Sequence, residues 1–192
     1  MTPSRKRPDR YGMQPPAGPP DGTERLSTDA ELDVPLAWSP DGQARTTVDY
    51  LVGEGKLDRV EPDHAHARAF VAEARRHLES ARTLVGTDTP LAFIAAYDAA
   101  RKSLAAILAD QGLRSRGGDG GHAVLLDAVR PQFPSERDTL KRFTWLRTTR
   151  NSTEYREPDQ PVVTPLEVED GIVASAAIVD LADRYLRQHG GG

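Results

Sequence analysis

From Pro62 onward, apolar side chains recur every three or four residues, at Ala67, Phe70, Val71, Ala74, Leu78, Ala81, Leu84 and Val85. That spacing gathers them on one face of a long helix, and the face needs other elements to bury it. The chain contains no cysteine, so disulfides, cysteine metal sites and thiol catalysis are all absent. Packing alone has to hold the structure, and a hydrophobic content of 38% over 192 residues suffices for one domain.

The partners for that face follow in order. Thr89 offers an N-cap with Pro90 in the first turn, where the missing N–H costs nothing. Leu91, Ile94, Tyr97, Ala100, Leu104, Ile107 and Leu108 then trace the inner stripe of a second helix, which Gly112 closes. RSRGGDGGH, residues 114 to 122, is too glycine-rich for a helix and leads into a short third one, HAVLLDAV, ended by Pro131. Ser135 and Asp138 resemble a capping pair that opens a fourth helix with Leu140, Phe143 and Leu146 buried, a stripe that continues to Arg150. Thr164 and Glu167 form a capping box around Pro165, opening a fifth helix through Ile172, Val173, Ala176, Val179 and Leu186. Val162 and Val163 carry the only strand signal. The expected fold is all-α, an up-and-down helical bundle of four to five helices.

Three regions follow from this reading. Residues 1–37 are rich in proline, glycine and charge and have little to bury, so a disordered tail is expected. Residues 38–61 read as a short helical leader, with a turn at Pro40, Asp41 and Gly42 and an amphipathic piece around Val48 to Val52. Residues 62–189 form the bundle. Trp38, Tyr97, Phe143 and Trp145 are spaced for core and dimer packing rather than for stacking bases.

Charge narrows the function. With 25 basic against 29 acidic side chains, the formal net charge is -4, and no general attraction for nucleic acid exists. Attraction has to be local, and two places offer it. One is Arg5, Lys6, Arg7 and Arg10 in the tail, which also reads as a solubilising extension. The other is residues 135 to 156, with six basic residues (Arg137, Lys141, Arg142, Arg147, Arg150, Arg156) against Glu136, Asp138 and Glu154. It reads either as a phosphate-binding face, with Arg147, Arg150 and Arg156 as its anchors, or as a solvated helix surface. No run of about 18 apolar residues and no apolar signal core exist, so neither a membrane span nor a secretion signal is expected, and the location reads as cytoplasmic.

The histidines do not form a metal set, since His64 and His66 are two apart on a helix and point to different sides, while His77 and His189 show no partner. His122 follows the glycine loop, where it reads as a helix-start contact or as an acid or base. The loop is not a phosphate loop, because no Gly-Lys-Ser/Thr follows and no strand precedes it. No cofactor is implied.

Taken together, LAFIAAYDAARKSLAAILADQGL, the GGHAV junction bearing His122 and LRTTRNSTEYRE resemble, over about Thr47 to Arg187, the HEPN superfamily of helical bundles in bacterial toxins, defence systems and RNA-processing proteins. The leader LVGEGKLDRVEPD and the RNxxEY ending are similar to an actinobacterial-type branch of HEPN-like proteins. Active members carry an arginine, a polar residue and, five positions after the arginine, a histidine. Here Arg150 and Asn151 match, and Tyr155 stands where the histidine would be. The resemblance implies a homodimer, RNA as ligand, and a nucleotidyltransferase or antitoxin as partner. It also implies metal-independent RNA cleavage in active members, in which the 2′-hydroxyl attacks the phosphate, histidine moves the proton and arginine neutralises the phosphate oxygens. Arg150, Asn151, Tyr155 and His122 are therefore the candidate catalytic residues.

Tyr155 is a weak replacement, since a phenol with a pKa of about 10 stays protonated at neutral pH. A separation of five residues also turns about 140° around a helix, so Arg150 and Tyr155 meet only if the helix unwinds or two protomers share the site. Glu154, one turn after Arg150, offers the plain structural alternative of an ion pair, with Asn151 capping the backbone. The expectation is a dimeric RNA- or nucleotide-associated module of a toxin–antitoxin or defence system with weakened or lost nuclease activity. The alternative is an active endoribonuclease toxin using Arg150 with Tyr155 or His122. A third reading makes Tyr155 the acceptor for a partner nucleotidyltransferase.

Overall fold

The computed structural model describes residues 42–117, 121–154 and 163–189. The expected tail over residues 1–37, Trp38, Tyr155 and Arg156 lie outside them, as does the side chain of Glu154. Among the described residues there are six α-helices: α1 (Gly42–Gly53), α2 (His64–Leu84), α3 (Thr89–Asp110), α4 (Gly121–Val129), α5 (Arg137–Glu154) and α6 (Pro165–His189). The fold is all-α, with α1 as the expected leader and the other five as the bundle.

The stripe on α2 is buried as its spacing requires, through Ala67, Val71, Ala74, Leu78 and Ala81. A tight turn after Val85 sends the chain straight back, so α2 and α3 pack as antiparallel neighbours, and both pack on α6. The N-cap of α3 is Asp88, whose carboxylate accepts from the Leu91 N–H at 3.0 Å, and not Thr89, which is already helical. Asp88 wins because a carboxylate satisfies an orphan N–H and also favours the positive end of the helix dipole. At α6 the capping box forms as expected: the Glu167 carboxylate accepts from Thr164 N–H at 2.8 Å and Thr164 Oγ1 accepts from Glu167 N–H at 3.2 Å.

Helix α3 is the hub, because it touches α2, α4, α5 and α6 together. A single apolar stripe could not serve four neighbours. Alanines at 92, 95, 96, 99, 100 and 106 are buried as well, which lets the surrounding helices approach closely, while Leu91 is 47% exposed and lies off the core. Val173 on α6 is likewise exposed, contrary to its place in the expected stripe.

Two features depart from a purely helical reading. Strands β1 (Leu57–Arg59) and β2 (Leu113–Ser115) pair antiparallel, joining the leader to the end of α3. A 3₁₀ turn, Pro134–Glu136, precedes α5, and Ser135 does not cap that helix; the Glu136 carboxylate instead accepts from Thr139 Oγ1 at 3.1 Å.

Gly112 connects the hub to β2. Its φ is +68°, and a Cβ there would sit 2.5 Å from the Val60 carbonyl oxygen. Gly112→Ala is therefore expected to destabilise the fold by about 3 kcal/mol, from left-handed strain and overpacking together. Urea denaturation checks this, with Gly53→Ala as the control, since nothing lies within 4 Å of a Cβ at Gly53.

Candidate functional site

Three helices, α3, α4 and α5, supply the side chains of the site, and the hairpin aims one of them. Pairing of β1 with β2 places Ser115 beside the start of α4, where its hydroxyl donates to the Gly121 carbonyl at 3.0 Å. A Cβ on Gly121 would meet the Arg116 carbonyl at 3.0 Å, so a residue without a side chain lets the chain turn there. His122, next in line, thereby faces α3.

There its Nδ1 lies 2.7 Å from the phenol oxygen of Tyr97. A phenol is the better donor and a neutral imidazole the better acceptor, which assigns the O–H to Tyr97 and leaves Nε2–H as the outward group of His122. Tyr97 is fully buried, and its ring stacks on Phe143 of α5 at 5.6 Å with 26° between planes. Burial raises the Tyr97 pKa to about 12 against the opposing pull of Arg101, Arg150 and Arg147, so the phenol keeps its proton.

Arg150 completes the arrangement from α5. Its guanidinium carbon lies 5.8 Å from the Tyr97 ring centroid, a cation–π contact on the stripe that buries Leu140, Phe143 and Leu146. Its Nη1 also donates to Asn151 Oδ1 at 3.3 Å, while Asn151 itself is exposed. Arg147, one turn back, and Arg101 of α3 act on the same two rings electrostatically. Arg101 is bound to Asp98 through Nε at 2.9 Å.

The pKa of His122 is lowered, first by burial and then by Arg101, Arg150 and Arg147, with Asp98 opposing them. His122 is thus neutral near pH 7. Three arginines face one carboxylate across this cluster, a setting that favours an anion and disfavours a further cation.

The basic face expected over residues 135 to 156 is therefore divided. Arg147 and Arg150 join His122. Arg142 instead lies over the Trp145 ring at 5.3 Å and donates to the Asp170 carbonyl of α6 at 3.3 Å, and Arg137 and Lys141 are exposed. Tyr155 and Arg156 are outside the described residues, as is the Glu154 carboxylate that was the structural alternative for Arg150.

Sequence reasoning missed Arg101 and Asp98 and treated Tyr97 as core alone. A signal was present: Asp98, Arg101 and Lys102 are the only charged residues that interrupt α3 before its last residue, Asp110. A charge inside an alanine-rich hub helix needs a reason: for Asp98 and Arg101 it is the neighbouring site, whereas Lys102 pairs with Glu73 of α2 at 2.5 Å.

Two of the other histidines, His64 and His189, have partners away from this site. His64 pairs with the Asp110 carboxylate at the end of α3, and His189, for which no partner was expected, stacks on Tyr185 at 4.4 Å with its Nδ1 2.8 Å from the Tyr185 carbonyl. Among the described residues no cluster of histidine and carboxylates is arranged to hold a metal ion, and no helix is long and apolar enough to cross a membrane.

No family model, curated protein or solved structure matches the chain.

Proposed function

We propose that the protein is an HEPN-like module that binds RNA through the phosphate backbone, with Arg150, Arg147 and Arg101 as the anion site and with cleavage weakened or lost. The observation that carries this is the convergence of those arginines on the Tyr97–His122 hydrogen bond. A guanidinium fork suits a phosphate because it offers parallel donors to two oxygens and is always charged. His122 adds its Nε2–H as one more donor.

The same hydrogen bond argues against cleavage through His122. A general base needs a free lone pair, and with the phenol as donor across the 2.7 Å contact the lone pair on Nδ1 is engaged and the ring proton falls to Nε2. The endoribonuclease reading retains one supporting observation, which is that His122 is uncharged beside Arg150, the protonation state a base requires. Under that reading Tyr97 would orient the imidazole as a proton carrier. The resemblance adds a second copy of the chain and a toxin–antitoxin or defence setting to either reading.

Binding of labelled single-stranded RNA, measured by anisotropy across a salt series, tests the proposal. Arg150→Ala is expected to weaken binding about tenfold and to reduce the salt slope by about one. Incubation of the same RNA in chelator separates the two readings. Intact RNA with Arg150-dependent binding rejects the nuclease, whereas cleavage that Arg150→Ala and Tyr97→Phe both diminish rejects the binding module.

A further inference from the structure

A cavity of about 460 Å³ opens beside the arginine cluster and shares Arg101 and His122 with it. Its size falls within the roughly 300–1,000 Å³ of small-ligand sites. Phe70 of α2, Leu108 of α3, Leu113 of β2 and Leu125 of α4 make its walls apolar. His66 packs against Phe70 with ring centroids 4.2 Å apart, so one wall is aromatic. Arg114 also lines the cavity, tied to Asp58 at 3.5 Å.

The two ends differ in charge. Arg101 and His122 mark one. Glu61 and Asp63 line the other, where Asp63 N–H donates to the Ala109 carbonyl at 3.0 Å. Ala109 lies eight residues beyond Arg101 on the same helix. At a rise of 1.5 Å per residue that is about 12 Å along the helix axis. A nucleotide has the matching polarity, with phosphate at one end, an apolar π-face in the middle and a hydrogen-bonding edge at the other.

The edge identifies the base. The Asp63 carboxylate already caps α2, accepting from His66 N–H at 2.8 Å, which leaves Glu61, exposed and among the lining residues, as the second carboxylate at this end. A carboxylate accepts two parallel N–H donors. Guanine presents two adjacent donors, N1–H and the exocyclic amine, on its Watson–Crick edge, whereas adenine places an acceptor there and pyrimidines fill less of the cavity. We infer that the cavity is a specificity subsite for an unpaired guanine of RNA, with the base between Phe70 and Leu125, its edge on Glu61 and its phosphate at the Arg101 end. The subsite rests on the RNA-binding reading and adds a base preference to it.

The test uses the full chain and short oligouridines carrying one central guanine, adenine or no purine. The guanine oligomer is expected to bind about tenfold more tightly than the other two, as a bidentate contact would give. Glu61→Gln, on the surface and harmless to the fold, is expected to abolish that preference while uridine binding stays as it was. Arg150→Ala is expected to weaken all three alike. Equal binding of the three oligomers, with Arg150 still required, would overturn the guanine subsite and leave the phosphate-binding reading standing. A guanine preference that survives Glu61→Gln overturns the subsite as well. Absence of any RNA binding by the wild type removes the RNA reading and the subsite with it.

Discussion

Phe143→Ala is expected to lower stability by about 3–5 kcal/mol. Phe143 is completely buried, and the Tyr97 ring stacks on it. Removing the ring leaves a cavity between α3 and α5 that neighbouring leucines cannot fill without leaving their rotamers. The consequence is not confined to stability, because Phe143 supports the ring over which Arg150 lies and from which His122 takes its hydrogen bond. Phe143→Leu restores most of the volume and is expected to cost about 1 kcal/mol. Guanidinium denaturation of the two variants gives the ordering. RNA affinity adds a second readout, since loss of the flat support is expected to weaken binding in Phe143→Leu even where the fold survives.

Legibility followed distance along the chain. The stripe on α2, the stop at Gly112 and the capping box at Thr164 and Glu167 are written in residues at most a few turns apart, and all three formed. The paired strands were not legible. Each is three residues long, LDR and LRS, too short for alternation to show, and the pairing of Asp58 with Arg114 reaches across two whole helices, α2 and α3. Leu91 was misplaced because an isolated stripe cannot reveal that alanines on the remaining faces of α3 are buried too.

The site divides in the same way. Arg150 stood out because it extends an apolar stripe, and His122 because it begins a helix after glycines. Their meeting depends on Tyr97, which looked like an ordinary core residue because by burial it is one. Only a hydroxyl aimed out of the core turns it into part of the site, and no spacing rule records that direction. Arg101 was hidden for a related reason: its Asp98 partner three residues before makes it look like a routine helical ion pair.

Tyr155→His carries the largest expected functional effect. Under the proposed reading the anion site is complete and only the group that moves a proton is missing. An unperturbed phenol, the group that tyrosine brings to position 155, holds its proton at neutral pH, and His122 has its Nδ1 committed to Tyr97. An imidazole at position 155, with an ordinary pKa near 6.5, brings a lone pair to the residue five positions after Arg150. General acid–base catalysis of this kind contributes about 10²–10⁴-fold. Cleavage of single-stranded RNA in chelator is expected to rise about 10²-fold over the wild type, to peak near neutral pH, and to vanish in the double variant with Arg150→Ala. Both parts of that result matter. A gain that persists without Arg150 would place the chemistry away from the arginine cluster, and no gain in a variant that still binds RNA would mean that position 155 never reaches the phosphate. The module would then be a binder by geometry, with Arg150 kept for holding an anion rather than for cutting one.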